Sequence, residues 1–344
     1  MKIKRRGKSL EDEVKSEANE PAGKKVPYRF DKVISTGSTL LDLSISGGRV
    51  RGGGIPGGVL VEMYGPSGGG KTSLLAELCA STQRKGGDVR FRDPESRLDK
   101  EYSEIHGMSI DEKFFDYDRP DTVKEFFDDL WGWKYNEGAL NIFAGDSVAA
   151  LSTELEMENE EGDKRGQKQA KEFSQNLRKT ARKIGEKNIL VAFSNQIRQG
   201  EHGEVTPGGN ALAFYASLRL RVGQVELVEK ELTLKSGKVI KKAMGIKSLC
   251  YVRKSTIDNP FRSAMIYIMF GYGIDDVRGN LQWYKDMMKG SVYDCFGKTY
   301  KSIQDAVRYV EEKSLEAKLR NKVIDLWEDI EKKFKVERRP KVRF

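Results

Sequence analysis

The sequence predicts an α/β fold: a mainly parallel, twisted sheet flanked by helices, with a short polar segment before it and a small helical region after it. Three observations predict this. Residues 33–275 alternate short apolar runs with helical stretches, the pattern of strands joined by crossover helices. Within that span an apolar strand, "VLVEMY" (Val59–Tyr64), meets an amphipathic run through a glycine-rich turn. After Gly271-Tyr272-Gly273 the β-branched runs thin out, and helical stretches near 301–313 and 316–335 follow. The expected divisions are 1–32, 33–275 and 276–344.

Residues 1–32 are polar and charged; Ser9–Ala18 reads as a short helix, "NEPAGKK" as a loop and "KKVPYRF" as an extended piece. Val59–Tyr64 is β-branched and apolar enough for a buried strand. A helix follows from about Lys71 to Arg84, with Leu74, Leu75 and Leu78 at helical spacing and Gly86-Gly87 as its stop. Between them, Gly65-Pro66-Ser67-Gly68-Gly69-Gly70-Lys71-Thr72-Ser73 matches the nucleotide-binding phosphate loop in full. Glycines leave backbone N–H groups free to curl around phosphate oxygens, and the helix N-terminus adds its dipole. Lys71 is expected to reach the β- and γ-phosphates of ATP, and Thr72 to hold Mg²⁺.

A nucleotide hydrolase also needs a second acidic group for the metal and a group that orients water. "ALNIFAGD" is an apolar strand that ends on Asp146, the metal candidate, with Ser147 beside it. "VRFRDPE" is a strand, Val89–Arg92, that runs into Asp93 and Glu95. Ligands of parallel sheets sit at the carboxyl ends of strands, so Glu95 is placed to polarise the attacking water. Further on, "EAKLRNKVIDLWEDIEKKF" sets Leu319, Val323, Ile324, Leu326, Trp327 and Ile330 on one stripe that must pack on something, and the tail "KVERRPKVRF" is basic.

Composition narrows the class. The chain has 344 residues, 33% of them charged, with a net charge of +9, which favours a polyanionic partner. Three widely separated cysteines, Cys79, Cys250 and Cys295, make neither a disulfide framework nor a zinc site, and fit a reducing cytoplasm. Two histidines, His106 and His202, show no metal spacing. No apolar run approaches the ~18 residues of a membrane span, and the basic start lacks the apolar core of a secretion signal.

"VISTGSTLLDLSISGG" (33–48) followed by "YGPSGGGKTSL" closely resembles the bacterial RecA recombinases. So do "RDPESRLDKEY", "RPDTVKEF", "DSVAAL", "SQNLRK", "SNQIR", "TPGGNALAFYASLRLR" and "NPF", in the family's order across about 33–275. The resemblance implies a RecA-type ATPase core with an N-terminal polymerisation segment and a small C-terminal domain. It implies Glu95 as the catalytic glutamate, and Asp99 and Tyr102 as adenine contacts. Gln196 becomes the sensor that relays the γ-phosphate to a DNA loop behind it. It also implies two DNA-binding loops. The first lies near 156–171, with Lys164, Arg165, Lys168 and Lys171; Arg178 is assigned to DNA with them. The second spans 197–210, with Arg198, Gly208, Gly209 and Asn210.

The family completes its ATP site across a subunit boundary with cations from the neighbour. Lys254 aligns with one of these; Thr256 stands where a second is usual, and Arg253 is placed to compensate. Ala213 replaces a lysine near that boundary, while Phe214 matches. The second DNA loop is shorter than usual and has no aromatic residue, and a basic end replaces the acidic tail. The expected function is an ATP- and Mg²⁺-dependent homologous recombinase. It would form helical filaments of its own copies on single-stranded DNA and exchange strands with a duplex. The rivals are a ring-forming RecA-like helicase and a single-strand-binding mediator without strand exchange.

Overall fold

The structure, a computed structural model, describes residues 30–152, 165–185, 187–200, 203–207, 210–335 and 338. The expected N-terminal helix and nearly all of "KKVPYRF" and the basic tail lie outside the described residues. The strands in chain order are β1 (Val33–Ile34), β2 (Ile55–Pro56), β3 (Val59–Gly65), β4 (Val89–Arg92), β5 (Phe115–Asp118), β6 (Asn141–Gly145), β7 (Ile189–Gln196), β8 (Arg198–Gly200) and β9 (Gly203–Val205). They continue with β10 (Leu218–Thr233), β11 (Val239–Ser255), β12 (Ser263–Met269), β13 (Gly273–Ile274), β14 (Tyr293–Asp294) and β15 (Thr299–Tyr300). The helices are α1 (Thr39–Ser46), α2 (Lys71–Arg84), α3 (Lys100–Ile105), α4 (Val123–Gly132), α5 (Arg165–Ile184), α6 (Asn210–Tyr215), α7 (Asp276–Met287), α8 (Ile303–Glu312) and α9 (Glu316–Lys333).

Nine strands form one sheet in the order β13-β12-β11-β10-β3-β7-β6-β4-β5. From β5 to β10 every neighbouring pair is parallel, as the alternating pattern requires. From β10 to β13 every pair is antiparallel. That second block, and above all the long β10–β11 pair, is absent from the sequence expectation. Only Leu218–Arg221 of β10 pair with β3, and only Gly245–Tyr251 of β11 pair with β12. Beyond Val228 and Gly245 the two strands have only each other, so they leave the carboxyl edge of the sheet as a ribbon. A turn closes it, in which Gly237 adopts φ +80° and donates to the Leu234 carbonyl (2.9 Å).

Each face of the sheet has its own apolar layer. On one, α1 and α2 bury Leu41, Ile45, Leu74, Leu75 and Leu78 against Val61, Met63 and Leu220. On the other, α4 and α5 bury Phe126, Phe127, Phe173 and Leu177 against Phe143, Val191 and Phe193. The Phe126 ring meets Phe127, Phe143 and Phe193 edge-on, with centroids 5.1–5.5 Å apart. α4 starts with a capping box between Thr122 and Glu125, which satisfies backbone donors at its first turn. The C-terminal region has three helices rather than two, because α7, capped by the Asp275 carboxylate, precedes the expected pair. The apolar stripe of α9 packs as its spacing requires: Leu319, Val323, Ile324 and Trp327 join the same cluster as α1, with Leu326 and Ile330 half-buried. The three cysteines are buried and unpaired.

Asp42 on α1 is fully buried and accepts from Ser35 Oγ (2.5 Å) and from Thr36 N and Oγ1 (2.8 Å each). Burial pushes its carboxyl up to about 6, against the pull of those hydrogen bonds. The folded chain therefore holds this proton more tightly than the unfolded chain does. The resulting stability is fully present below the unfolded value and lost as pH rises through about 6. Asp42→Asn should flatten that decline, measured as the urea midpoint from pH 4 to pH 7.

Candidate functional site

The site begins where β3 runs out. Gly65 lies so close to β10 that a Cβ on it would sit 1.9 Å from the Val222 carbonyl oxygen. Gly70 has φ +94°, and its Cβ would fall 2.1 Å from Ile268 Cδ1 on β12. The bare backbone is thus demanded by neighbouring strands as well as by any phosphate. α2 starts at once from this turn, so its first N–H groups face the loop. Lys71 is 8% exposed and folds back, donating to the carbonyls of Gly65 (3.0 Å) and Pro66 (2.8 Å). Burial lowers its pKa, and the charges of Asp146 and Glu95 oppose that shift.

A cleft of about 500 Å³ opens over the loop. Ser67, Gly68, Gly70, Lys71, Thr72 and Ser73 form its floor, and the carboxyl ends of β4, β6 and β7 supply its polar wall. From β4 comes Glu95. Its Oε1 accepts from Ser147 Oγ (2.5 Å) and Gln196 Nε2 (3.2 Å), and its Oε2 pairs with Arg97 Nη1 (2.6 Å). From β6 comes Asp146, whose carboxylate accepts from Ser194 Oγ and from the Thr72 side chain. Burial raises the Asp146 pKa, those hydrogen bonds lower it, and the charges of Glu95 and Asp93 raise it further. Asp93 braces the turn after β4, since one of its oxygens accepts from Arg97 N (2.7 Å), Leu98 N (2.8 Å) and Tyr117 Oη (3.0 Å). Its other oxygen is buried without a partner.

These groups fit a nucleotide with a divalent cation. The glycine turn presents unhindered N–H groups, and the acidic wall keeps Asp146 short of positive charge. Among the described residues no group of three or more His, Cys, Asp and Glu could hold a metal alone. Mg²⁺ takes one or two protein oxygens and completes its shell with phosphate and water, and the Thr72 and Asp146 side chains, which meet at the cleft floor, would supply that number.

The opposite wall is apolar and was not singled out from sequence: Ile246, Ile268, Met269 and Phe270, with Gly271. Phe270, just after β12, is 59% exposed and lines the same cleft as the half-buried Tyr102. The signal was present in "AMIYIMFGYG", an alternating strand that ends on an aromatic and a glycine. Tyr102 lines the cleft; burial pushes its phenol up to about 12, and its hydroxyl meets Ser73 Oγ at 2.8 Å. Asp99 lies outside the cleft lining. It caps α3, accepting from Tyr102 N (2.7 Å), and so acts on the cleft through Tyr102. Buried His106 packs 4.9 Å from the Tyr102 ring and contacts Glu77 (3.2 Å).

Arg253 and Lys254 do not meet this cleft within one chain. A β-bulge between Arg219 and Leu220 lets Arg253 and Lys254 share the sheet face of Arg219, away from α2. Arg253 is exposed beside Tyr64 and Arg219. Lys254 Nζ donates to the carbonyls of Ala213 (3.0 Å) and Phe214 (2.7 Å) at the end of α6, and burial lowers its pKa. Phe214 beside it is 74% exposed.

The DNA candidates divide in the same way. Lys164, Gly208 and Gly209 lie outside the described residues. Arg165, Lys168 and Lys171 belong to the first turns of α5 rather than to a loop, because that helix begins at Arg165. Lys171, Arg178 and Arg198 are exposed, and Asn210 opens α6. The second expected loop contains a short hairpin, β8 with β9, which pairs Arg198 with Val205. Arg221 on β10 grips it through both oxygens of Glu204 (3.0 and 2.6 Å). Gln196 therefore links Glu95 to the base of that hairpin.

Gly65→Ala should cost on the order of 3 kcal/mol, since the Val222 carbonyl belongs to the sheet ladder and cannot move aside. Urea unfolding would measure the loss; an unchanged midpoint would mean that the contact relaxes freely.

Among the described residues no helix is long and apolar enough to cross a membrane. The RecA N-terminal domain family matches residues 12–275. Protein RecA of Synechocystis sp. is 37% identical over 292 residues, covering 82% of this chain and 77% of that protein. Protein RecA of Thermus thermophilus is 37% identical over 289 residues, covering 77% and 79%. That of Thioalkalivibrio sulfidiphilus is 36% identical over 257 residues, covering 73% and 70%. A phosphate-loop cleft at the carboxyl edge of this sheet, together with likeness along most of its length, makes the chain a member of the RecA family.

Proposed function

We propose that this chain is an ATP-dependent homologous recombinase that assembles on single-stranded DNA and exchanges strands with a homologous duplex in the cytoplasm. The observation that carries this reading is the position of Glu95, held by Ser147 and Gln196 at the mouth of the phosphate loop. Gln196 also begins the connection to the β8–β9 hairpin, so one side chain touches both the catalytic carboxylate and the start of a DNA-binding segment.

In this reading the Gly65–Ser73 loop and Lys71 bind the ATP phosphates, with Tyr102 and Phe270 on either side of the base. Thr72 and Asp146 would hold Mg²⁺, which neutralises phosphate charge. Glu95 orients and polarises the water that attacks the γ-phosphorus. Release of the γ-phosphate leaves the Gln196 amide without its anionic partner, and the hairpin responds. Arg253 and Lys254, which cannot reach their own cleft, serve that of the next protomer. A repeated contact of this heterologous kind does not close on itself and builds a helix. Residues 1–32 supply the other half of the contact.

Glu95→Gln keeps size and hydrogen bonding but removes the charge. ATP hydrolysis on single-stranded DNA should fall by ~10²–10⁴-fold, while ATP binding and filament assembly persist and filaments outlast the wild type after ATP is diluted. Hydrolysis near the wild-type rate would remove Glu95 from the catalytic role. A strand-exchange assay of the wild type with homologous duplex tests the recombinase reading itself; hydrolysis and filaments without exchange would leave a mediator.

A further inference from the structure

β3 carries a single charge, Glu62, set among the buried apolar residues Val59, Leu60, Val61 and Met63 and itself 0% exposed. A charge is expensive to bury there, and a buried ion pair adds little net stability over apolar side chains of similar volume. The steps of ATP hydrolysis described above make no use of it.

Glu62 has two partners on two different strands. Its Oε2 accepts from Arg219 Nε on β10 (2.5 Å), and its Oε1 accepts from Asn195 Nδ2 on β7 (3.0 Å). Arg219 faces outward. Its guanidinium lies 4.3 Å over the Tyr64 ring, and with Tyr64, Arg221 and Arg253 it lines a cleft of about 620 Å³ on the face assigned to the next protomer. Glu204 takes up the charge of Arg221 there, as Glu62 takes up that of Arg219.

Asn195 faces inward and is 0% exposed. The same Nδ2 also donates to the Pro207 carbonyl (3.2 Å). Both groups it meets are acceptors, so the amide can present only its nitrogen to them. Its Oδ1 is left buried without a partner. Glu62 and Pro207 are therefore what orients this amide. Pro207 follows β9 within the second DNA segment, 197–210. Asn195 directly precedes Gln196, and successive strand side chains point to opposite faces. β7 thus offers the segment two attachments: Gln196 on the side of the protomer's own cleft, and Asn195 on the side of the next protomer.

We propose that Glu62 is a positioning residue that couples the protomer contact to the second DNA segment, through Arg219 on one side and through Asn195 and Pro207 on the other. The proposal rests on the recombinase reading above and deepens it. A protomer's own nucleotide reaches DNA through Gln196; the nucleotide of the next protomer reaches it through Glu62. Phosphates of the next cleft, seated against Arg253, compete with Glu62 for the Arg219 guanidinium. The buried carboxylate has no water to take in exchange, so a change at one partner passes to the other.

The test uses the full-length variant Asn195→Ala, which leaves the Glu62–Arg219 pair and Gln196 in place. Anisotropy on a labelled single strand, with Mg²⁺ and with or without ATP, gives the gain in affinity that ATP confers. Hydrolysis is followed with and without the strand. Loss of one hydrogen bond to a charged group should shrink that gain by about tenfold, leaving DNA-free hydrolysis and ATP-free binding as in the wild type. Glu62→Gln, whose single amide oxygen cannot hold both partners, should show the same loss. The double variant Glu62→Gln/Asn195→Ala should lose no more than either alone, because all three break one connection. An unchanged gain in Asn195→Ala would overturn the proposal, and this variant decides alone if Glu62→Gln does not fold. Additive losses in the double variant would overturn it too. So would an equal fall in DNA-free hydrolysis and ATP-free binding, which would make the network a support of the fold only. A wild type whose affinity ATP does not raise overturns this coupling and the recombinase reading together; a wild type that gains affinity with ATP yet exchanges no strands overturns the recombinase reading alone.

Discussion

The functional arrangement depends on one placement: β3 is held between two parallel neighbours, β7 on one side and β10 on the other. The pairing runs to the last residue, with Gly65 opposite Gln196 and Tyr64 opposite Arg221. The phosphate loop, Gln196 and Arg221, which anchors the β8–β9 hairpin, are therefore set to a common height by backbone hydrogen bonds. The first glycine of the loop follows from this constraint, since β10 leaves no volume for a side chain at Gly65, while Ile268 of β12 closes the space at Gly70.

Charge balance in the cleft follows from the same geometry. Parallel strands deliver their carboxyl ends to one edge, and here two of them end beside acids: Asp93 and Glu95 after β4, and Asp146 after β6. Lys71 is the loop's own cation, and in the closed turn it is occupied by two carbonyls. Burial makes each of these interactions stronger than it would be in bulk water.

Local patterns survived the passage from sequence to structure, and distant pairings did not. The strand Val59–Tyr64, the helix Lys71–Arg84, the strand Val89–Arg92 and the apolar stripe of α9 were legible because each is coded by neighbours a few residues apart. The nucleotide loop was legible for the same reason. The ribbon was not: its outer half carries Glu226, Glu229, Lys230 and Glu231, which read as a solvated stretch, and both its faces are exposed. The apolar wall around Phe270 was missed because β12 reaches the loop only by pairing beyond β11. The resemblance had already assigned Arg253 and Lys254 to a neighbour's cleft; what the sequence hid was the bulge that shifts their register without altering composition.

The ribbon has a mechanical consequence. β10 carries the register of β3 at Leu218–Arg221 and then continues, in one strand, past the sheet edge. From Val228 to the turn that opens at Leu234 it projects ~20 Å. A rigid arm of that length magnifies angle into distance: a tilt of ~5° at the loop moves the tip by ~2 Å. The register shifts near Gln224 and Val228 are where such an arm bends, so they set how much of the tilt arrives. The tip thus behaves as a pointer mounted on the nucleotide site, and a spectroscopic label at Ser236 would read changes too small to see at Gly65 itself.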